Sequence, residues 1–143
     1  MNRPATTPTI LLLALTLALA ACMPEPPQVI LSVTNEGASA CATLRATLTY
    51  ASGTIEANGV QPGEQREVAG AAPNVTQGKP ATVEAWCDSG TTTGYAKLEG
   101  DLAELTSRVT PIHVTGPGSE GVCRDDLTAS TDPAPCINTN AIQ

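Results

Sequence analysis

Phenylalanine is absent from this 143-residue chain, and only Tyr50, Trp86 and Tyr95 are aromatic. Aromatic rings carry much of the apolar area of ordinary cores, so the interior here has to be assembled from aliphatic side chains and alanine. The same shortage argues against a saccharide-cleaving cleft, which needs a large cavity as well as two carboxylates. Histidine is nearly missing. His113 stands alone, which excludes a His-rich zinc or copper site. Seven Lys and Arg against fourteen Asp and Glu leave a net charge of -7. That balance is the reverse of the positive footprint needed to hold a phosphate backbone, so no nucleic-acid partner is expected. Neither Cys-x-x-Cys nor Gly-x-Ser-x-Gly occurs, and with them go the usual zinc spacing and the hydrolase nucleophile elbow. No cofactor is expected.

What is present begins with an apolar run. Residues 10–21 are apolar apart from Thr16, follow a segment carrying Arg3, and end in small residues before Cys22. Positive start, short apolar stretch and small-residue end make an export signal over residues 1–21. Twelve residues are too few to span a hydrocarbon core of roughly 30 Å as a helix.

Leu19-Ala20-Ala21-Cys22 resembles the lipobox of bacterial lipoproteins. The resemblance implies that Cys22 takes a diacylglyceryl group on sulfur and becomes the first residue of the mature chain. A thiolate is the nucleophile such a transfer needs. Two or three acyl chains, at ~0.8 kcal/mol per buried methylene, anchor a protein stably where one does not. Membrane lipid, reached through acylated Cys22, is thus the first expected partner. Met23, in place of the Asp that retains such proteins at the inner membrane, implies the outer membrane where one exists and otherwise the outer face of the plasma membrane. Pro24-Glu25-Pro26-Pro27 favours extended polyproline II, so residues 22–28 read as a lipidated cysteine on a short stiff tether.

From Cys22 onward the chain holds only 21 Val, Ile and Leu residues. Such a core leaves little margin over chain entropy. Cysteine supplies the missing stability. Cys41, Cys87, Cys123 and Cys136 form an even set in an exported chain, which implies disulfides. Three pairings are open. Cys41–Cys87 with Cys123–Cys136 is favoured, because each then closes a ring inside one compositional unit.

The local pattern is that of strands. Residues 29–34 form a β-branched run. From 42 to 50, Ala42, Leu44, Ala46, Leu48 and Tyr50 alternate with Thr43, Arg45, Thr47 and Thr49, the period of a half-buried strand. Ser52-Gly53 turns the chain into 54–57. Asn58-Gly59 signals a type I′ hairpin and Pro62-Gly63 a type II turn. Further strands are expected at 66–69, 81–87, 94–99 and 111–115. Between the last two, Leu102, Leu105 and Val109 recur at helical spacing, Asp101 and Glu104 resemble a capping box, and Glu104 with Arg108 makes an i,i+4 pair. Helix and strand both remain open over 101–109.

Short strands at roughly ten-residue spacing predict an all-β fold, a small antiparallel β-sandwich over residues 29–115. Gly59-Val60-Gln61-Pro62-Gly63-Glu64 is similar to a mid-domain loop of bacterial immunoglobulin-like modules. In the true immunoglobulin domain Trp and the paired cysteines lie on different strands. Here Trp86 abuts Cys87, so the two point to opposite faces unless a bulge intervenes. Residues 116–143, opened by Gly116-Pro117-Gly118-Ser119 and poor in aliphatics, read as an irregular, disulfide-pinned extension with mobile final residues.

Candidate chemistry is sparse. His113, between Ile112 and Val114, is expected to face solvent, with no elbow serine to serve. Asp125, Asp126 and Asp132 lack EF-hand spacing. Glu99, Asp101 and Glu104 read as a solvated acidic face, and Asn74-Val75-Thr76 is a glycosylation sequon of no consequence in a bacterial chain. Trp86 with Tyr50 or Tyr95 forms the one possible binding patch, since aromatics are enriched at interfaces. The expectation is a lipid-anchored cell-envelope protein, not an enzyme, with a binding or structural role toward an envelope protein or surface ligand. Two alternatives stand beside it: an envelope enzyme or metal-dependent module, and a protease inhibitor presenting the loop 69–79.

Overall fold

The computed structural model describes residues 26–36, 41–73, 78–103, 109–117, 129–131 and 134–143. These build strands and, among the described residues, no helix: β1 (Gln28–Asn35), β2 (Thr43–Tyr50), β3 (Gly53–Val60), β4 (Glu64–Ala71), β5 (Lys79–Asp88), β6 (Thr93–Leu102), β7 (Val109–Thr115), β8 (Ala129–Thr131) and β9 (Cys136–Thr139). They form two sheets, a four-stranded one in the order β4-β1-β7-β9 and a five-stranded one in the order β3-β2-β5-β6-β8. The fold is an all-β, immunoglobulin-like sandwich. One pairing departs from the expected antiparallel pattern. β1 runs parallel to β7, with Leu31 opposite Ile112 and Val33 opposite Val114, because both strands enter the sheet from the same end.

Period-two alternation decides which residues meet between the sheets. Val29, Leu31 and Val33 of β1, Ile112 and Val114 of β7 and Ile137 of β9 face Leu44, Ala46 and Leu48 of β2, Val83 and Ala85 of β5 and Ala96 and Leu98 of β6, all buried. Ala42, expected on the inward face of β2, precedes the strand and is exposed. Alanines line much of the five-stranded side, so the sheets close on a thin layer of aliphatic carbon.

Polar anchors tie the upper end, where β1 stops. Asn35 is wholly buried. Its Nδ2 donates to the carbonyls of Cys41 at 2.9 Å and Val60 at 2.8 Å, while its Oδ1 accepts from the Cys41 N–H at 2.8 Å. Cys41 is bonded to Cys87 with their Cα atoms 5.3 Å apart, so the connection from the first sheet to the second is pinned covalently beside that amide. Unlike the inter-sheet bridge of antibody domains, this disulfide joins the entry of β2 to the adjacent strand β5. Cys136 is also disulfide-bonded. Cys123, its expected partner, lies outside the described residues.

Two turn expectations separate here. Pro62-Gly63 does make a turn: the Glu64 N–H donates to the Gln61 carbonyl at 2.9 Å and Gly63 has φ +83°, as a type II geometry requires. Asn58-Gly59 does not make a hairpin. β3 runs straight through it, and the register with β2 shifts so that Asn58 and Gly59 together oppose Arg45. The Gly59 φ of +65° serves a β-bulge, the other common use of a left-handed glycine in a strand pair.

The largest correction concerns residues 116–143, expected to be an irregular extension. β8 joins the five-stranded sheet beside β6, and β9 joins the four-stranded sheet beside β7. The chain then crosses between the sheets. Ala141 and Ile142 are buried, and Gln143 exchanges both backbone hydrogen bonds with Asp101, at 3.0 and 3.1 Å. Ile137 and Ile142 are few but fully interior, which is why a composition count missed them. For residues 101–109, strand is the answer at both ends: Asp101 and Leu102 finish β6 and Val109 begins β7. Glu104, Leu105 and Arg108 lie outside the described residues.

Candidate functional site

The three aromatics do not form one patch. Tyr50 closes β2 on the inward side, 7% exposed, and its hydroxyl donates to the Ala71 carbonyl at 3.0 Å. Burial raises its pKa above the ordinary phenol value. Tyr50 is therefore a core residue, because the alternation that buries Leu44, Ala46 and Leu48 carries it to the same face.

Trp86 and Tyr95 lie on the opposite, outer face of the five-stranded sheet, directly across from each other on β5 and β6. Their ring centroids are 5.5 Å apart with planes tilted by 42°. On the other side of Trp86, Arg45 of β2 is its cross-strand partner, and the guanidinium carbon sits 4.2 Å from the indole centroid. Arg45, Trp86 and Tyr95 thus form one continuous row across three strands. Trp86 and Cys87 point to opposite faces with no bulge, as plain alternation requires.

Acidic groups set the electrostatics of this face. The Tyr95 hydroxyl donates to Glu84 Oε1 at 2.7 Å. Burial first, then that hydrogen bond and the charges of Glu84 and Glu99, push the Tyr95 phenol up to about 12. Lys97 pairs with Glu99, and this contact holds the ammonium above its usual pKa. Glu99, read from sequence as part of an acidic stretch, is therefore half of an ion pair.

One strand step above the tall row lies a short one: Thr43, Asp88 and Thr93, neighbours across β2, β5 and β6. The drop from long to short side chains leaves a shallow concavity of about 210 Å³ lined by Thr43, Arg45, Trp86, Asp88 and Thr93. Asp88 Oδ1 accepts the Gly90 N–H at 2.8 Å, which orients the carboxylate at the start of the Ser89–Thr92 turn. The concavity occupies the end of the sandwich marked by Asn35 and the Cys41–Cys87 bridge. β1 begins at the other end, beside Ala71 and Val109, roughly 25 Å away at the usual strand rise.

Of these lining residues the sequence pointed only to Trp86. Arg45 was legible as an outward residue of β2, but its place over Trp86 depends on the β2–β5 register. Thr43 was legible only as an outward residue of the same strand, and Asp88 and Thr93 carried no signal.

Of the remaining candidates, His113 stands apart from this face. His113 is exposed on the outer face of the four-stranded sheet, opposite Ser32 of β1 and Asn138 of β9. Ser32 is 2% exposed and its hydroxyl accepts from Gln65 Nε2 at 3.3 Å. Among the described residues no group of three or more His, Cys, Asp or Glu side chains converges as metal ligands, and no helix is long and apolar enough to cross a membrane. Cys22 with the rest of residues 1–25, the sequon 74–76, and Asp125, Asp126 and Asp132 lie outside the described residues. Within the loop 69–79, residues 69–71 complete β4 and Lys79 begins β5.

Comparison with protein-family models, with curated proteins and with solved structures finds no match. The functional reading therefore rests on the chain's own geometry.

Proposed function

We propose that this protein is a lipid-anchored cell-envelope binding protein that performs no catalysis, tethered through acylated Cys22 and presenting the Arg45–Trp86 face of its sandwich to a ligand. The carrying observation is the placement of the concavity. The end of β1 nearest Cys22 and the concavity lined by Arg45, Trp86 and Asp88 sit at opposite ends of the domain. A tether of a few residues at Cys22 then leaves that surface facing away from the bilayer. The lipobox resemblance of Leu19-Ala20-Ala21-Cys22 and the stiff Pro24-Glu25-Pro26-Pro27 stalk support the address. Disulfide bonding of Cys41, Cys87 and Cys136 fits an oxidising compartment outside the cytoplasm.

The test is metabolic labelling with a clickable fatty acid in a bacterial host. The wild-type chain is expected to take the label and fractionate with membranes, and Cys22→Ser to lose both. Retention of label by Cys22→Ser would overturn the anchoring reading.

A further inference from the structure

Resting on that reading of the outer face as a binding surface, we propose that the concavity between Arg45 and Asp88 binds a small zwitterion of the α-amino-acid type, its carboxylate on Arg45 and its ammonium on Asp88. The ligand class follows from what the neighbouring groups leave available. The Arg45 guanidinium lies over the indole ring, and the tilted Tyr95 ring packs beside it. Trp86, which lines the concavity, offers an apolar wall for a side chain.

The exposed guanidinium stacks over the indole and, among the described residues, donates to no protein acceptor. A planar fork oriented by that stacking matches a carboxylate bidentately. Asp88 selects against a simple anion. Its carboxylate is diagonal to Arg45 across the β2–β5 ladder, about 7–8 Å away between Cβ atoms in that geometry. It would repel a lone carboxylate entering the same concavity. Its Oδ1 is occupied by Gly90 N–H, and its Oδ2 accepts from no described protein group. A ligand with an acid and an amine a bond or two apart satisfies both poles at once, while the Thr43 and Thr93 hydroxyls can serve its remaining donors and acceptors. At about 210 Å³ the space is below the ~300–1,000 Å³ of clefts that enclose drug-sized ligands. It has the scale of a single amino acid.

Trp86 is the only tryptophan of the chain and lines the site, so its fluorescence reports occupancy in the full protein. Leucine, N-acetylleucine (carboxylate alone) and leucinamide (ammonium alone) are titrated in parallel, with Asp88→Asn and Arg45→Lys as variants. Leucine is expected to give a saturable change, with both single-charge analogues at least ~10-fold weaker. Asp88→Asn should bring leucine down to the level of N-acetylleucine, and Arg45→Lys should weaken leucine about tenfold by removing the fork while keeping the charge. No saturation by about 100 mM leucine, or equal affinities for the three probes, would overturn the zwitterion site. Failure of these titrations alongside retained fatty-acid labelling at Cys22 would remove the ligand assignment and leave the envelope-anchor reading standing.

Discussion

Asn35 commits its side-chain amide to backbone partners at the junction of three chain segments, and it does so with no exposure to water. Asn35→Ala leaves the Cys41 N–H and two carbonyls without that partner, at a cost of about 1–3 kcal/mol for a stranded buried group. The expected readout is a lower urea midpoint with an unchanged m-value. Gly70 makes a steric demand of the opposite kind. A Cβ there would collide with the Tyr50 hydroxyl and approach Ile55 Cγ2 to 2.9 Å. Gly70→Ala should displace the phenol from the Ala71 carbonyl and cost about 1–3 kcal/mol by overpacking, read in the same urea titration. Tyr95 supplies a pH signature. Its phenol is pushed up to about 12 from 10.0, so the folded state holds this proton more tightly than the unfolded chain. The associated stability is complete below pH 10 and is lost as pH rises toward 12. Phenolate absorbance in the ultraviolet should show the delayed titration, and Tyr95→Phe should remove that part of the alkaline loss of stability.

At the scale of elements, the segment from β9 to Gln143 closes one side of the sandwich by pairing with β7 in one sheet and with the end of β6 in the other. Gly100 permits that closure. A side chain there would stand 2.5 Å from the Gln143 carbonyl oxygen and 2.8 Å from Ile142 Cγ2. Gly100→Ala should therefore release the last residues, seen as faster amide exchange at Asp101, Ala103 and Gln143. β1 and β2 were legible because they show a β-branched run, as in 29–34, or alternation, as at Leu44, Ala46 and Leu48, while β3, β4, β6 and β7 were read shorter than they are because their ends lack either pattern. β8 and β9 were not, because three or four residues give a periodic pattern no room, and the burial of Ile137 depends entirely on strands distant in sequence. Asn58-Gly59 misled for a related reason. The dipeptide announces a left-handed glycine, and only the partner strand decides whether that becomes a hairpin or a bulge. The aromatic row was half visible: alternation set Trp86 opposite Cys87 and set Tyr50 in phase with Leu44, Ala46 and Leu48, but joining Trp86 to Arg45 required the β2–β5 register.

For the molecule as a whole, the Cys41–Cys87 bond closes a span of 46 residues and supplements a core made largely of alanine and branched aliphatics. The chain-entropy relation gives ~4 kcal/mol for such a ring. Cys41→Ala/Cys87→Ala is expected to lower the thermal midpoint by well over ten degrees, by roughly 4–8 °C per kcal/mol for a domain of this size. Calorimetry of the variant, with Cys136 left oxidised, measures it.

Strand β1 has neighbours on both sides, antiparallel β4 and parallel β7, and it is the first strand after the proposed tether. Under the proposed anchoring through Cys22, a pull between the bilayer and a ligand held at the far end would run along the strand axis. Hydrogen bonds from β1 to β4 and β7, perpendicular to such a load, would resist together instead of parting one at a time, and the sandwich would carry the tension as a unit.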